Sequence, residues 1–374
     1  LNVVVAERKG FAAQDIAPGY YRVANIGLPS YGGIIKGKTV LDDCYAYVAN
    51  GSYHMATGSG AKQNIQSMQM WTGLENAIVS PQTVIYIAKT GDNYNLEAQG
   101  TSLSQMTSYK IVVSSVPGTT DTYTLTTTVS GIAASLWVDR TKTGMFNMQG
   151  ENAYPTNYQA TTTSQDNIDA FRQWKIIPIS SSSDNYVAVN ASLEANGKYY
   201  APYYASYSFK MVSPGMKAYY VSSISNSKYT LKEITNEVIP GATPVIIECS
   251  TNNPADGKIE PIYGQYGSIN GNKLKGVYFC NLTMSPNEYS DCRTEFKKET
   301  IRVWAVKNGQ LVLTNNPDKT RAVPLALSGY SGIWLRANES YLSDVPSIGT
   351  KLPSSSRFIF GLSLAPLILI ISPT

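Results

Sequence analysis

The stretch that decides the fold class reads Ile301-Arg302-Val303-Trp304-Ala305-Val306-Lys307-Asn308-Gly309-Gln310-Leu311-Val312-Leu313. Two runs of aliphatic and aromatic residues flank the dipeptide Asn308-Gly309, which supplies the positive φ angles of a type I′ turn. The pattern therefore predicts a β-hairpin. A second hairpin is predicted from the alternating segments 218–224 and 229–234, and Val245-Ile246-Ile247 predicts a buried strand.

The rest of the chain carries the same signature of short strands. β-Branched and aromatic runs are bounded by Gly, Pro, Asn and Ser, whereas helix-like composition is confined to residues 165–172. Further strands are predicted at residues 20–24, 83–87, 109–113, 123–127 and 174–177. Because strand–turn–strand units recur roughly every 40 to 50 residues, we expect an all-β fold in which a barrel-like array precedes a smaller antiparallel sandwich or sheet.

The composition is that of a large, weakly ionic protein. The chain has 374 residues, of which 43% are hydrophobic and only 15% charged, and it contains 27 tyrosines against 8 phenylalanines. This length favours two or three domains, and tyrosine suits sheet faces that stay partly wet. The net charge of +4 comes from basic residues that are scattered singly, so nucleic acid is not an expected partner.

Three segments of the first half resemble one lectin family: Gly19-Tyr20-Tyr21-Arg22-Val23-Ala24-Asn25, Gln69-Met70-Trp71 and Arg172-Gln173-Trp174-Lys175-Ile176. They look like the repeat signatures of ricin-type β-trefoil lectins, in which a Gln-x-Trp motif packs the core while an Asp and an aromatic residue of each repeat hold the sugar. The resemblance implies a β-trefoil-like barrel in the N-terminal region. It also implies carbohydrate as the ligand class.

A second set of segments is similar to exported proteins of gut and oral Bacteroidales. These segments are residues 196–205, 215–221, 238–247 and 274–279, and the likeness extends over roughly residues 190 to 345. It implies a β-rich module that is secreted or held at the bacterial cell surface. It implies no reaction.

Four segments are expected along the chain. They are a leader or export-signal remnant (1–14), the β-trefoil-like domain (15–212), the antiparallel β domain (213–345) and an apolar C-terminal tail (346–374). Proline and glycine in Ser213-Pro214-Gly215 punctuate the chain at the boundary between the two domains. Within the tail, residues 358–372 carry no charge but fall short of the roughly 20 residues of a spanning helix. We expect a buried final strand or a partner-inserting segment there, and no membrane span.

Enzyme chemistry finds little support in the sequence. The one histidine, His54, would have to serve any Ser-His-Asp or Cys-His site, and phosphate-binding glycine motifs do not occur. Neither catalysis nor a cofactor is therefore expected. A glycoside hydrolase needs only two carboxylates and remains the enzymatic alternative. Its candidate residues are Asp92, Glu97, Asp139, Asp166 and Asp169.

The cysteines form no C-x-x-C pair, so no metal site is expected. Cys280 and Cys292 bracket a polar segment and could close a loop by a disulfide, which would fit an oxidising compartment. Free, half-buried thiols are the alternative. The spacing alone leaves both open.

The candidate ligand-binding residues are aromatic. They are Trp137 and the tyrosine cluster Tyr199, Tyr200, Tyr203, Tyr204 and Tyr207. Flat rings stack on sugars, so an exposed row of tyrosines predicts a glycan platform. The alternative is a junction in which rings of two domains pack together.

The function predicted from these patterns is non-catalytic binding of a glycan by a secreted or cell-surface protein. The alternative is a structural or adhesive subunit that engages a host or bacterial surface protein through strand edges or the C-terminal tail. A glycoside hydrolase ranks behind both. The oligomeric state is left open.

Overall fold

The computed structural model describes residues 16–26, 34–35, 38–39, 45–50, 67–70, 77–98, 101–102, 112–129, 132–135, 138–139, 145–146, 173–225, 228–278, 301–315, 335–336, 338–343 and 367–371. Within these ranges there is no α-helix. Besides strands there are three short 3-10 helices, at Ala77–Val79, Pro81–Thr83 and Pro254–Asp256. The predicted all-β fold class is confirmed.

The described strands fall into two compact units that divide between Ile179 and Ser180, with residues 78–82 belonging to the second unit. The domain boundary predicted from sequence lies later, at 212/213. The difference arises because the strands between residues 187 and 211 pair with strands that follow them in the chain. Pro214 and Gly215 mark a turn inside the second unit, where Gly215 has a φ of 78°.

The first unit contains fourteen described strands. They are β1 (Gly19–Asn25), β2 (Ile34–Ile35), β3 (Lys38–Thr39), β4 (Ala46–Asn50), β5 (Ser67–Met70), β6 (Ile85–Thr90), β7 (Asn93–Ala98), β8 (Thr101–Ser102), β9 (Val112–Ser115), β10 (Thr122–Val129), β11 (Ile132–Ser135), β12 (Val138–Asp139), β13 (Met145–Phe146) and β14 (Gln173–Pro178).

The main sheet of the first unit runs in the order β11-β10-β14-β1-β6-β7-β8, and β9 pairs with residues 123–126 of β10. All these pairs are antiparallel. Strand β7 also contacts β9. A smaller sheet runs β12-β13-β5-β4, and β2 and β3 form a hairpin.

The core of the first unit follows the period of two that half-buried strands require. In β7, Tyr94, Leu96 and Ala98 are buried and their neighbours are only partly so. Trp174 of β14 is fully buried. Arg22 of β1 is fully buried as well, and it donates hydrogen bonds to the Thr83 hydroxyl and the Ala77 carbonyl, each 3.1 Å long. These bonds tie the 3-10 segment before β6 to the first strand.

The second unit contains thirteen described strands. They are β15 (Val187–Ala188), β16 (Leu193–Ala195), β17 (Lys198–Tyr203), β18 (Ser208–Met211), β19 (Lys217–Ser225), β20 (Lys228–Glu233), β21 (Val245–Cys249), β22 (Lys258–Ile262), β23 (Leu274–Val277), β24 (Val303–Lys307), β25 (Gln310–Thr314), β26 (Glu339–Leu342) and β27 (Leu367–Ile371).

The main sheet of the second unit runs β16-β17-β21-β19-β20-β27-β25-β24, with β15-β22-β18 and β23-β26 as smaller sheets. Every residue of β21 is buried, because both faces of this strand are covered. Ile246 faces a cluster that includes Tyr229 and Trp304, whose rings meet edge to face with centroids 5.5 Å apart. The predicted buried strand at 245–247 is thereby confirmed.

Both hairpins predicted in the second half are present. Strands β24 and β25 pair around Asn308 and Gly309, whose φ angles of 52° and 74° are the positive values that a type I′ turn requires. Strands β19 and β20 form the other hairpin. Local sequence signals were sufficient for these elements because each turn joins neighbouring strands.

The charge-free C-terminal segment contributes an interior strand. Strand β27 pairs in parallel with β20 and antiparallel with β25, and its pairing with β20 is the one parallel pair among the described strands. A strand was expected in this segment, and the backbone pairing agrees with that expectation. Without β27 the edges of β20 and β25 would be open.

A chain that ends at Ser356 should therefore be less stable than the full chain. We expect Tm to fall by about 10 °C, because a loss of about 3 kcal/mol in a unit of this size lowers Tm by about 2 to 4 °C per kcal/mol. Scanning calorimetry measures the shift, and a chain that ends at Ile371 is the matched control because it keeps β27. Equal melting of the two shortened chains would contradict the assigned pairing.

Candidate functional site

The predicted tyrosine cluster lies on β17 and in the loop that follows it. Tyr200, Tyr203 and Tyr207 are buried, whereas Tyr199 and Tyr204 are half-buried. Three of the five rings therefore lie inside the second unit and are not available as an exposed row. Tyr200 belongs to the core cluster that includes Ile246 and Trp304, and the ring of Tyr203 meets that of Phe209 edge to face.

The buried tyrosines satisfy their hydroxyl groups within the second unit. The hydroxyls of Tyr200 and Tyr219 both donate to Oε2 of Glu248, at 3.3 and 3.4 Å. The hydroxyls of Tyr203 and Tyr207 share a hydrogen bond of 2.7 Å. Such partners are needed because a buried hydroxyl without one costs about 1 to 3 kcal/mol. These residues form a polar network inside the core.

Tyr204 packs against the neighbouring sheet instead. Its ring stacks on that of Tyr278 with centroids 4.4 Å apart, and the ring lies so close over Gly276 that any Cβ at that position would overlap it. Burial and the hydrogen bond that the Tyr278 hydroxyl donates to Tyr204 raise the pKa of Tyr278 above its usual range. The contact explains why glycine occupies position 276.

The exposed aromatic side chains lie in a different place. Among the described residues, the large hydrophobic side chains that are exposed are Tyr263 (66%), Tyr266 (42%), Val112 and Val212. The two tyrosines belong to the sequence Tyr-Gly-Gln-Tyr-Gly at residues 263–267, which we call the aromatic loop. It begins directly after β22. The sequence signal that could have identified it is a pair of aromatic residues punctuated by glycines.

Glycine shapes the aromatic loop. Gly264 has a φ of 140°, a region that other residues rarely adopt, and a Cβ there would lie 3.3 Å from the ring of Tyr266. The Tyr266 ring thus rests against the backbone. Lys210 of β18 lies near Tyr266, and its ammonium group pairs with Glu237 at 2.6 Å. A salt bridge and two partly solvated rings share this part of the surface.

The structure describes the other candidate residues only in part. Asp92 is exposed in the turn between β6 and β7, and Glu97 of β7 accepts a hydrogen bond of 2.9 Å from Asn95. The backbone of Asp139 lies in β12. Several further candidates lie outside the described residues: His54, Trp137, Asp166, Asp169, Cys280 and Cys292. The Cys280–Cys292 disulfide and the ligand role of Trp137 therefore remain predictions.

One cysteine can be assessed. Cys249 at the end of β21 is a free, buried thiol. Burial, together with the negative charges of Glu248 and Asp256, raises the pKa of this thiol to about 11. At neutral pH the group is therefore protonated, which suits a structural residue and not a nucleophile.

Within the ranges that the structure describes, no group of three or more His, Cys, Asp or Glu side chains is placed to hold a metal ion. In the same ranges, no helix is long and apolar enough to cross a membrane.

Comparison with known proteins finds no match. No family model, no curated protein and no solved structure is significantly similar to the chain.

The buried Tyr200–Glu248 pair predicts an alkaline loss of stability. Burial, and secondly the charge of Glu248, raises the pKa of Tyr200 from 10.0 to about 12. The folded state holds the hydroxyl proton of Tyr200 more tightly than the unfolded state does. The resulting contribution to the free energy of unfolding is therefore complete below pH 10 and is lost as the pH rises towards about 12. Urea unfolding at stepped pH should show a smaller decline for Tyr200→Phe than for the parent chain. An equal loss of unfolding free energy with rising pH in Tyr200→Phe and in the parent chain would contradict the raised pKa of Tyr200.

Proposed function

We propose that the protein is a non-catalytic, secreted or cell-surface binding protein whose ligand is a carbohydrate, and that the aromatic loop contacts this ligand. The observation that carries the proposal is the exposure of Tyr263 and Tyr266, whereas the other tyrosines whose burial is described are buried or half-buried. Exposed large apolar surfaces in a soluble fold commonly mark sites of interaction. Two such rings in one short loop form a local contact surface.

Carbohydrate suits these side chains better than a purely apolar ligand does. A tyrosine ring offers a flat face for the C–H surface of a sugar, and its hydroxyl can exchange hydrogen bonds with sugar oxygens. The ammonium group of Lys210, which pairs with Glu237, adds a positive charge within electrostatic range of Tyr266. Flat apolar faces beside polar groups are the usual lining of small-molecule sites.

The architecture of the first unit gives independent support. The strand path β7-β6-β1-β14-β10-β9 contains six antiparallel strands, and β7 and β9 at its two ends contact each other. Such a path supports the proposal of a β-trefoil-like barrel, whose resemblance to ricin-type lectins in turn suggests a sugar ligand. The full burial of β21 on both faces likewise supports a small sandwich in the second unit.

Replacement of the loop tyrosines tests the proposal. In Tyr263→Ala and Tyr266→Ala we expect binding on a glycan array to weaken about tenfold or more, because stacked aromatic side chains often carry much of a binding free energy. The Tm of both variants should stay within about 1 °C of the parent, since exposed substitutions rarely affect stability. Val112→Ala, at an exposed site in the first unit, is the control.

Two outcomes would contradict this function. The first is a parent chain that binds no glycan on an array of plant, host and bacterial structures. The second is binding that persists unchanged when both tyrosines are replaced. Release of reducing ends from a bound glycan would indicate hydrolysis instead of simple binding.

A structural or adhesive subunit is the second candidate function, and the position of β27 favours it. This strand comes from a charge-free segment and lies between β20 and β25, so the slot it occupies recognises an extended strand through backbone hydrogen bonds. Addition of a strand to open sheet edges is a recurrent mode of protein association. The same slot in another copy could take a strand in trans.

A complementation experiment tests this candidate. The chain that ends at Ser356 is mixed with a synthetic peptide of residues 365–373, and we expect the peptide to bind and to restore the lost Tm. A peptide with Ile368→Pro is the control, because proline cannot donate to the strand ladder. Equal effects of both peptides, or no effect of either, would count against strand exchange.

A further inference from the structure

A pocket of about 110 Å³ opens in the second unit, away from the features discussed so far. Its apolar walls come from Leu193, Pro202, Tyr203 and Trp304. Residues 79 and 81, which cluster with the second unit, close another side. The apolar lining thus includes two aromatic side chains that the core holds in place, since both are almost fully buried.

The polar part of the pocket combines hydrogen-bond donors with acceptors. Asn190, Ser192 and Arg336 are exposed at the mouth, whereas Asn338 and Glu339 are buried at 4% and 3% exposure. One guanidinium and one carboxylate balance each other in charge. Amide, hydroxyl, guanidinium and carboxylate groups therefore converge on one small space.

The buried polar side chains are preorganised. Asn338 has a φ of 58°, in the left-handed region that asparagine tolerates, and its side-chain amide donates to the Tyr204 carbonyl at 2.8 Å. The Tyr204 amide donates back to the Asn338 carbonyl at 2.9 Å. Glu339 accepts a hydrogen bond of 2.6 Å from the backbone amide of Arg336. The bonds between Asn338 and Tyr204 hold the start of β26 beside the end of β17.

Trp304 is held in the same way. Its indole nitrogen donates to the Ser340 hydroxyl at 3.2 Å, and this hydroxyl donates to the Val245 carbonyl at 2.6 Å. The chain of bonds links the pocket wall to the central strand β21. A ligand would therefore meet a rigid wall, which lowers the entropy lost on binding.

We propose that this pocket binds one neutral pyranose ring, as the terminal residue of a glycan or as a free monosaccharide. The volume is below the about 150 Å³ of an apolar cavity that holds benzene, so the pocket takes one side of a single six-membered ring and leaves the other side in solvent. Each sugar hydroxyl both donates and accepts, which matches a lining of mixed donors and acceptors. The balanced charge favours a neutral ligand over an anion or a cation.

The inference rests on the proposed carbohydrate function but concerns different residues. The aromatic loop offers faces for an extended glycan, whereas the pocket would select the identity of one ring. Glu339 is the one carboxylate among the described lining residues, so the pair of carboxylates that glycoside hydrolysis requires is not formed by them.

Saturation-transfer NMR with methyl glucoside, methyl galactoside and methyl mannoside tests the pocket. At least one of these should bind to the full chain, with a signal from one side of the ring. In Arg336→Gln the affinity for the bound pyranoside should fall about tenfold, the factor expected for one lost charge-assisted hydrogen bond. In Asn190→Ala the affinity should fall by less. Lys275→Gln, which removes an exposed positive charge elsewhere, should bind as the parent does.

The outcomes separate this inference from the function of the loop. The Tyr263→Ala variant should keep monosaccharide binding even where binding to extended glycans is lost. If extended glycans bind and no pyranoside does, or if binding is equal in Arg336→Gln and the parent, the inference is overturned. It is also overturned if glucuronate or zwitterionic alanine binds to the parent chain and not to Arg336→Gln, while the neutral pyranosides bind to neither. Binding of a pyranoside by a chain that binds no glycan on the array would support the proposed role of the pocket and contradict that of the aromatic loop.

Discussion

The second unit depends on β21, a strand that is buried at every residue and hydrogen-bonded along both edges. On a strand covered on both faces, any polar side chain must find its partners inside the protein, because an unpaired buried group costs more than a hydrogen bond gains. Glu248 meets this requirement by accepting from Tyr200 and Tyr219 on the two flanking strands. A single carboxylate thus accounts for a hydroxyl-bearing residue at position 200 of β17 and at position 219 of β19.

Tyrosine is therefore used in two opposite ways. In the core its hydroxyl satisfies polar groups, as when Tyr229 donates to the Leu311 carbonyl at 2.9 Å and so joins β20 to β25 across the space that β27 fills. At Tyr263 and Tyr266 a large part of the ring is left to solvent, 66% and 42% respectively. In the pocket the two uses meet, because Trp304 and Tyr203 are core residues that also line a cavity with polar groups. The binding surfaces thus build on the packing of the core.

Local features were predictable from sequence and tertiary ones were not. The turn at Asn308-Gly309 and the burial of 245–247 follow from residue types and short-range patterns. The burial of Tyr200 and Tyr203 depends on the neighbours of β17, and the division near residue 180 depends on pairing with strands more than 40 residues later. The pocket joins segments near residues 190, 203, 304 and 338. No local pattern indicates such a convergence.

Native-state hydrogen exchange, resolved by strand, tests the dependence on β21 most directly. If this strand organises the second unit, the amides of β21 and of its partners β17 and β19 should exchange only through global unfolding, with the slowest rates in the unit. The amides of the edge strand β16 and of the aromatic loop should exchange faster by local opening. Exchange in β21 as fast as in β16 would contradict the account, because the strand could then open without unfolding the sheet.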